Sequence, residues 1–263
     1  MNTVTSIDGT TIAYDRRGNG PAVIVVDGAL CLRQSKQELA ELLASGFTVY
    51  NYDRRGRGDS GDIRPYGVAR EIEDIAALIG EAGGSASLYG HSSGACLALE
   101  AAAQLGDRVT RLAMYEAPYN DDSGVRGPWA TYIARLTEAL ADGRPGDAVA
   151  LFMGFLGTSD DHIAGMRQAP FWAGLEAIAP TLAYDHTGVL GPDMAVPAAR
   201  AARVPTPTLV MYGGAGAPFM RETAQTLSRA LPDARLSGLD GETHDVNPAV
   251  LAPLLAAFFA HRP

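Results

Sequence analysis

Cysteine is scarce in this chain: Cys31 and Cys96 are the only two among 263 residues. A lone pair of thiols gives neither a disulfide framework nor metal-ligand spacing, so both read as reduced, packed side chains. Positive charge is scarce relative to negative, with 21 Lys and Arg against 30 Asp and Glu and a net charge of −9. Phosphate backbones and anionic lipid surfaces recruit clustered Lys and Arg, so nucleic acid and membrane surfaces are not expected partners. Long apolar runs are missing too: nothing reaches the roughly 18 residues of a membrane-spanning helix. The opening MNTVTSIDGTTIAYD lacks a basic start and an apolar stretch of signal length, so a cytoplasmic protein is expected. There is no low-complexity linker and no internal repeat.

What the chain has in quantity is hydrophobic residues, 47% of the total, enough for a sizeable core. Val4–Ile7 and Thr11–Tyr14 alternate around Asp8-Gly9, which predicts an opening β-hairpin. AVIVV (22–26), FTVYNY (47–52), SASLY (85–89), VTRLAMY (109–115) and TLVMY (208–212) are short apolar runs bounded by glycine, proline or charge, as strands buried on both faces are. Helical patterns lie between and after them, at Ser35–Leu43, Val68–Ala82, Ala95–Leu105, Arg221–Ala230 and Pro248–Ala260. Alternation of strand and helix predicts an α/β fold with a mainly parallel sheet covered on both sides. The alternation stops between about 119 and 203, where several short helical patterns follow one another. This predicts a helical lid at 119–203 inserted into a core made of 1–118 and 204–263.

Gly90-His91-Ser92-Ser93-Gly94 fits G-x-S-x-G between a buried strand and a small-residue helix. Ser92 there is either a helix cap or a nucleophile on a sharp turn, where flanking side chains would collide with backbone and the helix N-terminus favours negative charge. With this motif the chain resembles the α/β-hydrolase superfamily over essentially its whole length. Asp53-Arg54-Arg55-Gly56-Arg57-Gly58-Asp59-Ser60 is similar to the family's D-x-R-G-x-G-x-S, and His244 in GLDGETHDV stands where the family keeps its base.

The resemblance implies a serine hydrolase, with Ser92 as nucleophile, His244 as base, and an oxyanion hole of backbone N–H groups from Ala29 or Leu30 and from Ser93. Where the family commonly has His-Gly, this chain has Asp27-Gly28; Asp27 is a loop cap or a group that repels anions. The acid is displaced. The family usually carries it after the strand that is TLVMY here, but the corresponding stretch is Gly213-Gly214-Ala215-Gly216, with Gly216 at the expected place. Glu116, directly after VTRLAMY, keeps the order Ser, acid, His and is the favoured partner of His244. The alternatives left open are that Glu116 salt-bridges or caps a loop, and that His244 pairs with Asp240, Asp245 or water.

Other residues read as bystanders. Gly56, Gly58 and Gly61 match a dinucleotide fingerprint, yet no helix opens on them. His91, His162, His186 and His261 read as packing or surface residues, and Arg126, Arg135 and Arg167 as solvated. Leu30, Trp129, Phe152 and Trp172 are expected to wall an apolar substrate pocket. The substrate implied is a small to medium, largely apolar ester, lactone or thioester, with no metal and no organic cofactor. A degenerate member that binds a ligand without turnover, or a haloperoxidase- or lyase-type member without cofactor, is the alternative, and a homodimer is left open.

Overall fold

The computed structural model describes residues 1–261. Its centre is one eight-stranded sheet: β1 (Asn2–Thr5), β2 (Thr11–Arg17), β3 (Ala22–Val26), β4 (Thr48–Tyr52), β5 (Ala86–His91), β6 (Val109–Tyr115), β7 (Thr208–Gly213) and β8 (Ala234–Leu239), in the order β1-β2-β4-β3-β5-β6-β7-β8. The first two strands are antiparallel and form the expected hairpin, although its loop takes Ser6–Thr10 rather than Asp8-Gly9 alone. Strand β2 also meets β4 antiparallel, and all later neighbours run parallel.

Alternation inside the apolar runs sorts their side chains between two cores. Val23 and Val25 face one side with Tyr89, Ala113 and Met211, against α1 (Gln37–Leu43) and α10 (Pro248–Ala260). Ile24 and Val26 face the other with Leu88, Leu112 and Met114, against α2 (Val68–Glu81), α3 (Ser93–Leu105) and α9 (Pro218–Ala230). Helix α2 presents Ile72, Ile75, Leu78 and Ile79 to that core at helical spacing, and Gly83 and Gly84 end it with positive φ. Strand β8 is the one that no apolar run announced. It lies at the sheet edge and buries only Leu239 of its six residues, so its sequence, ARLSGL, carries little hydrophobic signal.

Between β6 and β7 run α4 (Ser123–Ala141), α5 (Pro145–Phe155), α6 (Asp160–Met166), α7 (Trp172–Ile178), a π-helical turn at Tyr184–Val189, and α8 (Ala198–Ala201). The parallel register places the carboxyl ends of the central strands side by side: Val26 pairs with Gly90, His91 with Tyr115, and Tyr115 with Met211. Residues 27–30, 92–93, 116 and 213–216, each following one of these strands, therefore meet at one edge of the sheet, the usual position for a site in an open parallel sheet. No helix among the described residues is long and apolar enough to cross a membrane.

Candidate active site

Strand β5 passes into α3 through Ser92, whose φ of 56° and ψ of −130° lie in a region that non-glycine residues rarely occupy. The glycines around it are required by contact. A Cβ on Gly90 would stand 2.5 Å from Cα of Ala95, and one on Gly94 would stand 2.2 Å from the carbonyl oxygen of Val26. The ladder holds the turn in place, with the Ser92 N–H donating to the Tyr115 carbonyl at 2.9 Å. Gly28 lies against Ser92 so closely that a Cβ there would sit 2.9 Å from the serine Cβ. Ala29, Ser92, Ser93 and His244 line one cavity of about 750 Å³.

Glu116 directly follows β6, with φ of 46°, and is buried. One carboxylate oxygen accepts from the Gly213 N–H at 2.9 Å, and the other lies 2.7 Å from Nδ1 of His244. Of the acids open in the sequence, Glu116 is thus the one bonded to this imidazole. The carboxylate occupies space that a side chain at 216 would claim: a Cβ on Gly216 would stand 2.9 Å from its Oε1. An acid reaching across from β6 and a glycine after β7 are therefore sterically matched. The bond to Nδ1 leaves Nε2 as the nitrogen available to the cavity. His91 packs edge-on to His244, with ring centroids 5.0 Å apart, and burial, together with Lys36 and His244, holds its pKa well below the ordinary histidine value.

Beneath Ser93 lies a buried charge cluster. Ser93 Oγ donates to Asp185 at 2.8 Å, and Asp185 also accepts from Arg54 at 2.7 Å and from Arg57 at 2.5 Å. Burial raises the pKa of Asp185, but the two guanidinium groups outweigh it and bring the value down to about 2. Arg54 also forks onto Glu71, with both distances 2.7 Å. Arg57 donates to the Gly28 carbonyl at 2.6 Å. That carbonyl shares a planar trans peptide with the Ala29 N–H, so fixing one end fixes the direction of the other. Asp185 sits on the π-helical turn, whose i→i+5 bond runs from the Leu190 N–H to the Asp185 carbonyl at 2.8 Å. Nothing in the local sequence YDHTGV distinguished this residue.

The remaining cavity wall is mostly apolar. Trp129 from α4, Phe152 and Phe155 from α5, and Met194, Phe219 and Met220 contribute to it. Trp129 and Phe152 stand where a pocket wall was expected, whereas two other expected wall residues do not. Trp172 turns into the packing between α5 and α7: its indole donates to Glu176 at 2.9 Å, and Arg167 lies over its ring. Leu30, with φ of 54°, packs toward the core and is not part of the lining. His186, expected to be a packing or surface residue, is buried and belongs to the lining, as do Phe219 and Met220, which the sequence did not single out.

Asp27 is buried and accepts from the Gly28 N–H at 2.8 Å, which makes it a loop cap. The dinucleotide-like glycines wrap a carboxylate instead of opening a phosphate cradle, since a Cβ on Gly58 would meet Asp53 Oδ2 at 2.2 Å. A separate outer groove of about 880 Å³ crosses α4–α6, and its charges neutralise one another, with Asp147 taking both Arg144 and Arg167.

A family model described as the alpha/beta hydrolase family matches residues 27–254. The crystal structure of an alpha/beta hydrolase from Sphaerobacter thermophilus is 50% identical and superposes with a TM-score of 0.88, covering 98% of this chain and 100% of that one. N-formylmaleamate deformylase of Pseudomonas putida is 29% identical over 249 residues, which is 92% of this chain and 88% of the relative. An enol-lactonase from Burkholderia xenovorans, 20% identical, shares the fold with a TM-score of 0.71 over 98% of this chain and 100% of that chain.

Proposed function

The chain belongs to the alpha/beta-hydrolase family, and on that premise we propose that it is a serine hydrolase cleaving a small to medium, largely apolar carboxylic ester, lactone or thioester. The observation that carries the reading is His244: its Nδ1 is 2.7 Å from the buried carboxylate of Glu116, and its ring opens on the same cavity as Ser92.

In this mechanism Ser92 Oγ attacks the substrate carbonyl while His244 Nε2 takes its proton. Glu116 holds the imidazole in the tautomer that leaves Nε2 unprotonated and stabilises the imidazolium that forms. The oxyanion is held by the N–H groups of Ala29 and Ser93, donors fixed before the reaction begins. His244 then gives the proton to the leaving alcohol, thiol or, for a lactone, the ring oxygen. Water attacks the acyl-enzyme with His244 again as base, which releases the acid and restores Ser92. The helices between β6 and β7 act as a lid that keeps water from the acyl chain.

Two things support turnover over a binder without catalysis. The position vacated at Gly216 is filled by the Glu116 carboxylate, and the Ser92 backbone is held in a strained conformation that a mere cap does not need. A fluorophosphonate probe followed by peptide mapping tests the reading. Labelling is expected at Ser92, absent in Ser92→Ala and slowed in His244→Ala. Folded wild-type protein that takes no label would overturn it.

A further inference from the structure

The hydrolysis proposed above gives no task to His186, the one histidine of the cavity wall besides His244. The residue is 3% exposed and its ring lies among aromatic rings, with centroids 5.0 Å from Phe152 and 5.5 Å from Trp129. Nδ1 lies 2.8 Å from the hydroxyl of Tyr132, and that hydroxyl has no other partner among the described residues. A buried hydroxyl proton needs an acceptor, and the lone pair of Nδ1 is the one in reach, so the ring's single proton sits on Nε2. Burial and the positive charges of Arg57 and Arg54, opposed by Asp185, bring the imidazole pKa down to about 4, which keeps the ring neutral at ordinary pH. Nε2 has no protein partner among the described residues, and His186 belongs to the cavity lining. The wall of an apolar cavity thus holds an uncharged N–H whose partner must come with the ligand.

Charge narrows the ligand. Among the described residues no Lys or Arg belongs to the lining. Arg54 and Arg57, close behind it, are already matched by Asp185 and Glu71. A carboxylate in the cavity would lose its water and gain no counter-ion, whereas a neutral carbonyl oxygen satisfies the N–H without that penalty.

The geometry points to His186 as the specificity residue of this cavity, its Nε2–H binding a second, uncharged carbonyl oxygen of the substrate, which makes the substrates keto esters, keto lactones or diesters. This assignment rests on the serine-hydrolase reading and names the substrate class of the same site. Tyr132 is a positioning residue, since it fixes which nitrogen of His186 carries the proton.

The test uses the full chain and a set of p-nitrophenyl esters in which a keto group is stepped along a medium-length acyl chain. Each is compared with its plain alkanoate and with an analogue ending in carboxylate. At one keto position wild type should exceed the plain ester by about tenfold or more in kcat/KM, with KM carrying most of the difference. The carboxylate analogue should be the poorest substrate. The keto-to-plain ratio should fall to about one in His186→Phe. It should fall in Tyr132→Phe as well, a variant that leaves the imidazole in place and removes only the bond fixing its tautomer. A flat keto series, a preference for carboxylate, or a ratio that survives His186→Phe would overturn the assignment. Fluorophosphonate labelling run on the same samples separates the two failures: Ser92 labelled with a flat series sinks only the role of His186, and no labelling sinks the hydrolase reading with it.

Discussion

The floor and the roof of the cavity are built from opposite materials. The floor, at the strand ends, contains two non-glycine residues with positive φ, Ser92 and Glu116. Each is held by ladder bonds, close backbone contacts or buried ion pairs. The roof, from the helices between β6 and β7, is a set of aromatic and aliphatic side chains with few fixed polar contacts. Groups that move protons must stand within tenths of an ångström of their partners, so their positions are over-determined by directional bonds. Groups that shape a cavity need only volume, which non-directional packing supplies.

Substitutions should divide along this line. On the floor, Glu116→Gln keeps size but leaves one acceptor oxygen where the Gly213 N–H and His244 Nδ1 meet two, and it removes the charge beside the imidazole. It should lower kcat by about two to four orders of magnitude with little change in melting temperature, read by steady-state kinetics and thermal unfolding. Arg57→Met releases the Gly28 carbonyl and leaves Asp185 with one guanidinium. The loss should be about 10- to 100-fold in kcat, part of what deleting an oxyanion donor costs. Affinity for a phosphonate or boronate transition-state analogue should fall in step, while affinity for product changes little.

Acid should loosen the boundary between floor and roof before it dissolves either. The pKa of His186 is depressed in the fold to about 4, so between the unfolded value near 6.5 and that point the unfolded chain holds the extra proton. Stability from this group is therefore fully present above about pH 6.5 and declines as pH falls toward 4, by about 3 kcal/mol in total. His91 acts in the same direction, its pKa being depressed by burial. Asp185, depressed to about 2, adds its own loss only below the ordinary carboxylate range. Urea unfolding at pH 7, 5 and 4 should give a decline that is shallower in His186→Phe by one proton's contribution. The smallest effect belongs to the roof: Phe152→Leu should change KM for medium-chain esters by less than about tenfold, with kcat changed less than KM.

The same contrast explains what could be read in the sequence. The elbow and the buried strands were legible because sterics and desolvation leave few residue choices: glycine at 90 and 94, and apolar runs wherever both faces are covered. Glu116 was favoured in the sequence because it follows β6 and keeps the order Ser, acid, His that the resemblance implies, while Asp240 and Asp245 stayed open; the 2.7 Å contact to Nδ1 is what singles it out. Strand β8 was not, because an exposed edge tolerates polar residues. Trp172 and Leu30 were assigned to the pocket wall on apolar character, but periodicity does not tell which neighbour covers a face. Asp185 and His186 escaped because their burial depends on a π-turn and on arginines some 130 residues earlier in the chain, as the Arg54–Asp185 separation of 131 positions illustrates.

That long-range ion cluster limits how the protein can be recombined. Asp185 is contributed by the stretch between β6 and β7, and its counter-ions Arg54 and Arg57 come from the other half of the molecule. A chimera that takes its helical cover from a relative inherits only one side of this pairing. Unless the donor supplies an acid at the same place, Arg57 is left without a carboxylate and Arg54 with Glu71 alone in the dry interior beneath the Ser92–Ser93 turn, so cover and arginines have to be exchanged as one unit.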